Sequence, residues 1–265
     1  MIPAPAPGAG VPAPPASMLS LPEDYRALVI GAGGAIGGAF VRQLQADPRC
    51  ALVRGLRRGE EPSLAHSADP PFDLLDEASL ASAAKRLQAE APFSLIVVAT
   101  GALHQHLPGR STPVGPEKRL AEIDPAVMAQ TFAVNAIGPA LLLKHFHLLL
   151  PRDARSLFGV LSARVGSIGD NQLGGWYGYR ASKAALNQLW RTASIEIARQ
   201  RPAAVLVALQ PGTVRSPLTA PVIGAAAPDA LAPDESARCL LAVLDALGPA
   251  DSGCFRDHRG AAIAW

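Results

Sequence analysis

The chain has 265 residues, 49% hydrophobic and 17% charged, which is enough apolar material for one large, well-buried domain. Its formal net charge is only +2, and no cluster of Lys and Arg with interleaved aromatic residues occurs, so no nucleic-acid surface is expected. Three widely separated cysteines without metal-ligand spacing indicate free thiols, a cytoplasmic location and no metal site, and no apolar run is expected to approach the ~20 residues of a membrane span.

The first 22 residues differ in composition from the rest, with seven prolines among Ala and Gly. Such a segment neither pairs into sheets nor continues as a helix. It is interpreted as a disordered tail over residues 1–22, followed by a single domain over residues 23–265. The alternative is an upstream start codon, with Met18 as the true first residue.

After the tail, short apolar runs alternate with amphipathic segments. The predicted strands are 27–30, 51–53, 94–99, 156–161 and 203–209. The predicted helices are 36–44, 77–90, 124–150, 177–199 and 234–247, the third interrupted by Gly138-Pro139 because proline lacks an N–H. This β-α alternation predicts an α/β fold with a doubly wound, parallel, Rossmann-like sheet in a single domain.

The first predicted strand ends in a glycine-rich turn that contains Gly31, Gly33, Gly34 and Gly37. Glycines let the backbone approach a pyrophosphate, and the following helix N-terminus offers free N–H groups. The turn therefore predicts a dinucleotide site; a ligand-free turn is the alternative.

The second predicted strand is followed by Arg57 and Arg58. An acidic residue at this strand end would bind a ribose 2′-hydroxyl, whereas arginines fit a 2′-phosphate, so NADP (NADPH) is favoured over NAD. A solvated basic loop is the alternative. Asp73, followed by Leu74, is a weaker candidate to accept a hydrogen bond from the adenine amine.

Tyr179 and Lys183 lie four residues apart on the predicted helix 177–199, and so on the same helix face. A free phenol has a pKa of about 10, and a nearby cation lowers it, so Tyr179 is a candidate proton donor to a substrate oxygen. An ordinary helix-surface pair is the alternative. The glycine turn upstream and Gln210-Pro211-Gly212 downstream favour the catalytic interpretation.

With these motifs, residues 26–265 resemble the short-chain dehydrogenase/reductase family, and more narrowly its C-factor and sniffer-like carbonyl reductase branch. The resemblance implies that Tyr179 is the general acid, that Lys183 holds the nicotinamide ribose and lowers the Tyr179 pKa, and that the Asn135 carbonyl holds a relay water. The cofactor-binding residues it implies are Gly31, Gly33, Gly34, Ala35, Ile36, Gly37, Arg57, Arg58, Asp73, Leu74, Ala99, Thr100, Gly101, Lys183, Pro211, Gly212, Thr213 and Val214.

The chain departs from the family pattern at three places. Ala35 replaces a glycine of the turn, and Val98-Ala99 replaces two residues with side-chain amides. Ala163 stands where the family has a serine that hydrogen-bonds the substrate oxygen. Ser162 is the favoured substitute if a bulge re-aims it, because adjacent strand residues face opposite ways; Ser167 is the reserve candidate.

These features predict an NADPH-dependent reductase of a ketone or aldehyde, or the reverse alcohol dehydrogenase. The apolar segment 217–233 is interpreted as a mobile lid, which favours a small, apolar carbonyl or alcohol substrate. The family resemblance implies a homodimer or homotetramer packed through the two long helices. The alternative function is a dinucleotide-binding signalling or sensor protein with little or no turnover.

Overall fold

The computed structural model describes residues 17–58, 72–223, 227 and 229–265. Its strands form one six-stranded, fully parallel sheet in the order β2-β1-β3-β4-β5-β6. The strands are β1 (Tyr25–Ile30), β2 (Cys50–Leu56), β3 (Leu95–Val98), β4 (Ser156–Leu161), β5 (Ala204–Gln210) and β6 (Cys254–Asp257). The order reverses between β1 and β3, which creates a crevice at the carboxyl ends of the central strands.

Helices cover both faces of this sheet, as the alternating pattern predicts. They are α1 (Ala35–Gln45), α2 (Glu77–Leu87), α3 (Pro125–Phe132), α4 (Gly138–Phe146), α5 (Tyr177–Ala198), α6 (Ala220–Ile223) and α7 (Pro233–Ala246). One apolar core lies between the sheet and α2, α4 and α5, and the other between the sheet and α1 and α7. The predicted α/β, Rossmann-like, single-domain fold is confirmed.

Successive strand residues supply the two cores in turn, because a strand directs alternate side chains to opposite faces. In β1, Leu28 and Ile30 enter the first core, while Ala27 and Val29 enter the second. All four are fully buried, which explains why the strand reads as a continuous apolar run. The sequence did not predict β6, a four-residue edge strand whose apolar content is too low to stand out.

The predicted helix 124–150 is divided by a π-helical segment, Ala133–Ile137, directly before Gly138-Pro139. The whole run Pro125–Leu149 is long and apolar enough to cross a membrane by length and composition, so the statement that no apolar run approaches this length is wrong. Leu142 and Phe146 of this run pack into the core beneath the sheet, as in a core helix.

The amino-terminal boundary of the domain differs from the prediction. Residues 1–16 of the predicted tail lie outside the described residues, but Met18 and Leu21 are buried. The Met18 N–H donates to the Asp47 carboxylate over 2.9 Å, and the Ser17 hydroxyl donates to the same carboxylate over 2.8 Å. Residues 17–22 therefore pack on the domain, and the predicted boundary at residue 23 is too late.

Candidate active site

The glycine turn after β1 brings three backbone segments into close contact. Gly31 has a φ of +89°, and a Cβ added there would lie 2.9 Å from the Ala99 backbone. A Cβ added to Gly37 would lie 2.1 Å from the Gly31 carbonyl oxygen. Only glycine fits either position. Helix α1 begins at Ala35 without a side-chain cap, which leaves first-turn N–H groups for a ligand, and the Ala35 methyl group is accommodated at the cavity wall.

Of the two arginines after β2, Arg57 lies beside this turn. A Cβ added to Gly33 would lie 3.5 Å from the Arg57 Cβ, so the Arg57 side chain starts directly beside the glycine turn. Arg58 is exposed and is the last described residue before the gap at 59–71. The Asp73 carboxylate accepts from the Leu75 N–H over 3.0 Å, and Leu74 packs on Gly138. Neither Asp73 nor Leu74 is among the residues that line the cavity beside the glycine turn.

A cavity of about 540 Å³ opens at the carboxyl ends of the central strands, where parallel α/β sheets bind ligands. Its lining combines the glycine turn, the segments after β3, β4 and β5, and residues 216–222. The residues that line it are Gly33, Gly34, Ala35, Ile36, Ala99, Gly101, Leu103, Ser162, Ala163, Arg164, Val165, Trp176, Tyr179, Gln210, Pro211, Gly212, Thr213, Val214, Ser216, Pro217, Leu218, Thr219 and Val222.

Helix α5 places Tyr179 in the cavity wall and Lys183 one turn behind it. The Lys183 Nζ lies 5.9 Å from the centroid of the Tyr179 ring and donates to the Leu161 carbonyl oxygen over 3.0 Å. Lys183 is 3% exposed, whereas Tyr179 is half-buried at the edge of the cavity. The structure thus brings the two side chains together as their spacing predicts.

The pKa of Tyr179 moves in the direction opposite to the lowering by Lys183 that the sequence predicts. Burial raises the pKa of Tyr179 to about 12, and burial lowers the pKa of Lys183 to about 8. Desolvation dominates because removing either group from water penalises its charged form. At neutral pH the phenol therefore retains its proton, which is the form a proton donor requires.

Asn135 lies fully buried in the π-helical segment and anchors the loop after β3. Its Oδ1 accepts from the Ala102 N–H over 2.9 Å, and its Nδ2 donates to the Ala102 carbonyl over 2.8 Å. A Cβ added to Gly101 would lie 3.5 Å from both the Asn135 Oδ1 and the Lys183 Nζ, so these two polar groups face the same point. Pro139, four residues after Asn135, has no N–H for the Asn135 carbonyl.

The serine candidates have other partners. The Ser162 hydroxyl donates to the Asn187 Oδ1 over 2.6 Å in the protein interior, although Ser162 contributes to the cavity lining. Ser167 accepts from the Asp170 N–H over 3.1 Å and does not line the cavity. Ala163 does line it. The Ser167 hydroxyl also donates to the Trp265 carbonyl oxygen over 3.4 Å, so neither serine offers the free hydroxyl that the resemblance led us to expect.

Several cavity residues were not identified from the sequence. Among the described residues that line the cavity, Arg164 is the one charged side chain, and its guanidinium donates to Asp170 and Asp257 at 3.3 and 3.1 Å. Leu103 also lines the cavity, and it belongs to no motif that the sequence reveals. The segment interpreted as a lid, residues 217–233, also borders the cavity, through Pro217, Leu218, Thr219 and Val222. Ser216, which directly precedes this segment, lines the cavity as well. Residues 224–226 and 228 of that segment lie outside the described residues.

Taken together, the site fits a dinucleotide. The glycine turn forms a cradle that added Cβ atoms would fill, the first turn of α1 is uncapped, and Arg57 stands beside the turn. Thr100 contributes a buried hydroxyl without a partner among the described residues. This combination, with Tyr179 in the wall of the same cavity, defines a nucleotide-dependent oxidoreductase of the Rossmann class.

Comparison with known proteins identifies the family. The family model for short chain dehydrogenases matches residues 25–225. The chain therefore belongs to the short-chain dehydrogenase family and is an NAD(P)-dependent oxidoreductase.

Individual relatives agree with the narrower resemblance to the C-factor and carbonyl reductase branch. C-signal of Myxococcus xanthus is 37% identical over 147 residues, which is 55% of this chain and 83% of that protein. The 1-hydroxy-2-glutathionyl-2-methyl-3-butene dehydrogenase of Rhodococcus sp. (strain AD45) is 28% identical over 90% of this chain and 98% of its own. NADPH-bound carbonyl reductase from chicken fatty liver superposes with a TM-score of 0.74 at 26% identity, covering 91% of this chain and 98% of that chain.

Proposed function

We propose that this protein is an NADPH-dependent reductase of a ketone or aldehyde, with Tyr179 as the general acid. One observation carries the proposal: Tyr179 lines a cavity of about 540 Å³ that begins at the glycine turn, and the buried Lys183 ammonium lies behind its ring. NADPH, when bound, supplies the hydride. The protein supplies position, exclusion of water and the proton.

In this proposal Tyr179 donates its proton to the carbonyl oxygen of the substrate. Burial raises the pKa of the phenol to about 12, so the phenol is protonated at neutral pH. Lys183 holds the nicotinamide ribose, and its positive charge stabilises the phenolate left after the transfer. Asn135 positions the Gly101–Ala102 backbone beside Lys183, and its carbonyl is the proposed acceptor of the relay water.

The preference for NADPH rests on Arg57 and Arg58. Arg57 starts directly beside the glycine turn, where a guanidinium would pair with a 2′-phosphate. Arg57→Ala is expected to weaken NADPH binding about 10- to 100-fold and to leave NADH binding nearly unchanged, because charge-assisted bonds to phosphate contribute about 1.5–3 kcal/mol. Nicotinamide fluorescence titration measures both; Arg86→Ala, on the exposed face of α2, is the control. Equal losses for both nucleotides would contradict this role.

The substrate, assembly and compartment are parts of the same proposal. The cavity lining is mostly apolar, which favours an apolar carbonyl or alcohol. Ile137 on the α3–α4 run, with Leu189 and Ile195 on α5, is substantially exposed, which supports a homodimer or homotetramer built on these helices. The three cysteines are free thiols, which supports a reducing compartment such as the cytoplasm.

A second function is favoured by the serine positions. Ala163 has no hydroxyl, and the Ser162 hydroxyl is bound to Asn187. A dinucleotide-binding sensor or signalling protein would not require a donor there. Such a protein would bind NADPH tightly and reduce none of a panel of ketones and aldehydes.

The test of the proposed reductase is Tyr179→Phe. We expect this variant to lose turnover of any carbonyl that the wild type reduces and to keep NADPH affinity nearly unchanged, because only the proton donor is removed. Tyr177→Phe is the matched control, since Tyr177 lies in the first turn of the same helix, is exposed and does not line the cavity. Turnover retained by Tyr179→Phe would refute the mechanism.

A further inference from the structure

The turn that leads into helix α5 has an unusual backbone. Gly174, Gly175 and Trp176 follow one another with φ angles of +64°, +66° and +56°. Left-handed backbone is accessible to glycine but strained for a residue as bulky as tryptophan. Such strain persists only where the surrounding structure holds it, and it concentrates at functional sites.

This turn sets the position of the Trp176 ring relative to the Tyr179 ring. Trp176 is the N-cap residue of α5 and lines the cavity. Its ring meets the Tyr179 ring edge to face, with centroids 6.1 Å apart and planes at 75°. A change in the turn would therefore move both the cavity wall and the proposed proton donor.

Arg180 fixes the carbonyl groups of the turn. Its Nε donates to the Gly175 carbonyl over 2.9 Å, and its Nη2 donates to the Gly174 carbonyl over 3.1 Å. These bonds come from the same helix, one turn later. They orient the carbonyls, and the Gly174 N–H donates to the Asn171 Oδ1 over 3.1 Å, which leaves the Trp176 and Gly178 N–H groups to another partner.

Glu117, in the long segment between β3 and α3, is the hydrogen-bond partner of these N–H groups. Its carbonyl oxygen accepts from the Trp176 N–H, and its Oε2 accepts from the Gly178 N–H over 3.0 Å. Glu117 is only 6% exposed, and its Oε1 has no partner among the described residues. A carboxylate at a helix N-terminus is favoured by the helix dipole, which offsets part of the cost of burying it.

We propose that Glu117 is a positioning residue for catalysis: it holds the left-handed turn and the first turn of α5, and so fixes Trp176 and Tyr179 in the reactive arrangement. This inference rests on the proposed reductase function. Glu117 lies in a segment about 60 positions earlier in the sequence, so the backbone carbonyl and the side chain of this residue together connect the β3–α3 segment to the catalytic helix.

The test compares Glu117→Ala, Glu117→Asp and Glu117→Gln. We expect the alanine and aspartate variants to lower kcat about 10- to 100-fold, because a misplacement of about 1 Å at a reacting group costs this much. Their NADPH affinity should be unchanged, since Glu117 does not line the cavity. Glutamine keeps an oxygen acceptor at the same reach and should restore most of kcat with an unshifted pH profile, whereas aspartate keeps the charge but is too short.

One further readout and a control variant separate the possible outcomes. Hydrogen exchange at the Gly178 amide, whose acceptor is the Glu117 side chain, should rise in the alanine and aspartate variants and stay near the wild-type level with glutamine. Glu122→Ala is the matched control, because its recorded bonds are to Lys118 and Arg119 of its own segment. Increased exchange together with wild-type kcat would overturn the positioning role while leaving the reductase intact. An absence of carbonyl turnover in the wild type would instead refute the proposed function itself.

Discussion

Replacing Lys183 with methionine is expected to stabilise the nucleotide-free protein near neutral pH while abolishing carbonyl reduction. The lysine is 3% exposed, and burial lowers its pKa from 10.5 to about 8. At pH 7 the buried ammonium is therefore charged at a cost in folding free energy. Methionine has a similar length and helix propensity and carries no charge.

The size of the effect follows from the pKa difference. A difference of one in pKa corresponds to about 1.4 kcal/mol, so the cost of the buried charge is about 3 kcal/mol. The variant also loses the hydrogen bond from the Lys183 Nζ to the Leu161 carbonyl and the contact with the Tyr179 ring, together about 1–2 kcal/mol. The expected net gain is about 1–2 kcal/mol, or a Tm higher by about 2–8 °C for a domain of this size.

The gain should depend on pH in a defined direction. The folded-state pKa lies below the unfolded value, so below about pH 8 the lysine is charged in both states and the full cost is present. As the pH rises from about 8 to 10.5, the folded protein loses this proton first and the cost disappears. The stability difference between variant and wild type should therefore shrink across this interval.

Thermal melts of both proteins without nucleotide, from pH 7 to pH 10, measure this difference. Lys144→Met is the control: Lys144 lies on the surface in an ion pair with Glu77, and its replacement should give no stabilisation at any pH. A Lys183→Met protein with a Tm equal to or below that of the wild type at pH 7, and no trend with pH, would refute the reasoning.

Three further predictions concern other residues. Ala163→Ser, which adds a hydroxyl to the wall of the cavity that Tyr179 also lines, should raise kcat by about tenfold in a carbonyl reduction assay, and an unchanged kcat would contradict a role for this position. The rate of reduction should fall as the pH rises past about 8, where Lys183 loses its charge, and a flat profile from pH 6 to 10 would argue against that role. Asp47→Ala should lower the free energy of unfolding by about 2–4 kcal/mol, because the Met18 N–H and the Tyr25 hydroxyl lose their acceptor. Asp47→Asn should lower it less, and an unchanged Tm in the alanine variant would show that these contacts contribute little.

The sequence by itself determined the features that depend on local order and spacing. The apolar runs and amphipathic segments predict the alternating strands and helices, and this alternation is sufficient for a parallel sheet covered on both faces. The glycine turn and the Tyr179–Lys183 spacing are likewise local patterns that the sequence reveals; Gly33, Gly34 and Tyr179 line one cavity, and Lys183 lies behind the Tyr179 ring. The weakly apolar strand β6 shows the limit of this approach, because its place is set by pairing with β5.

Only the tertiary structure decided what depends on contacts between distant segments. Desolvation, which no spacing reveals, sets the direction in which the pKa values of Tyr179 and Lys183 move. The Ser162 hydroxyl is bound to Asn187 because β4 and α5 pack together, and Glu117 holds α5 because a loop far away in sequence folds over it. Such contacts are products of the completed fold, since the strands and helices must first bring these side chains within hydrogen-bonding distance.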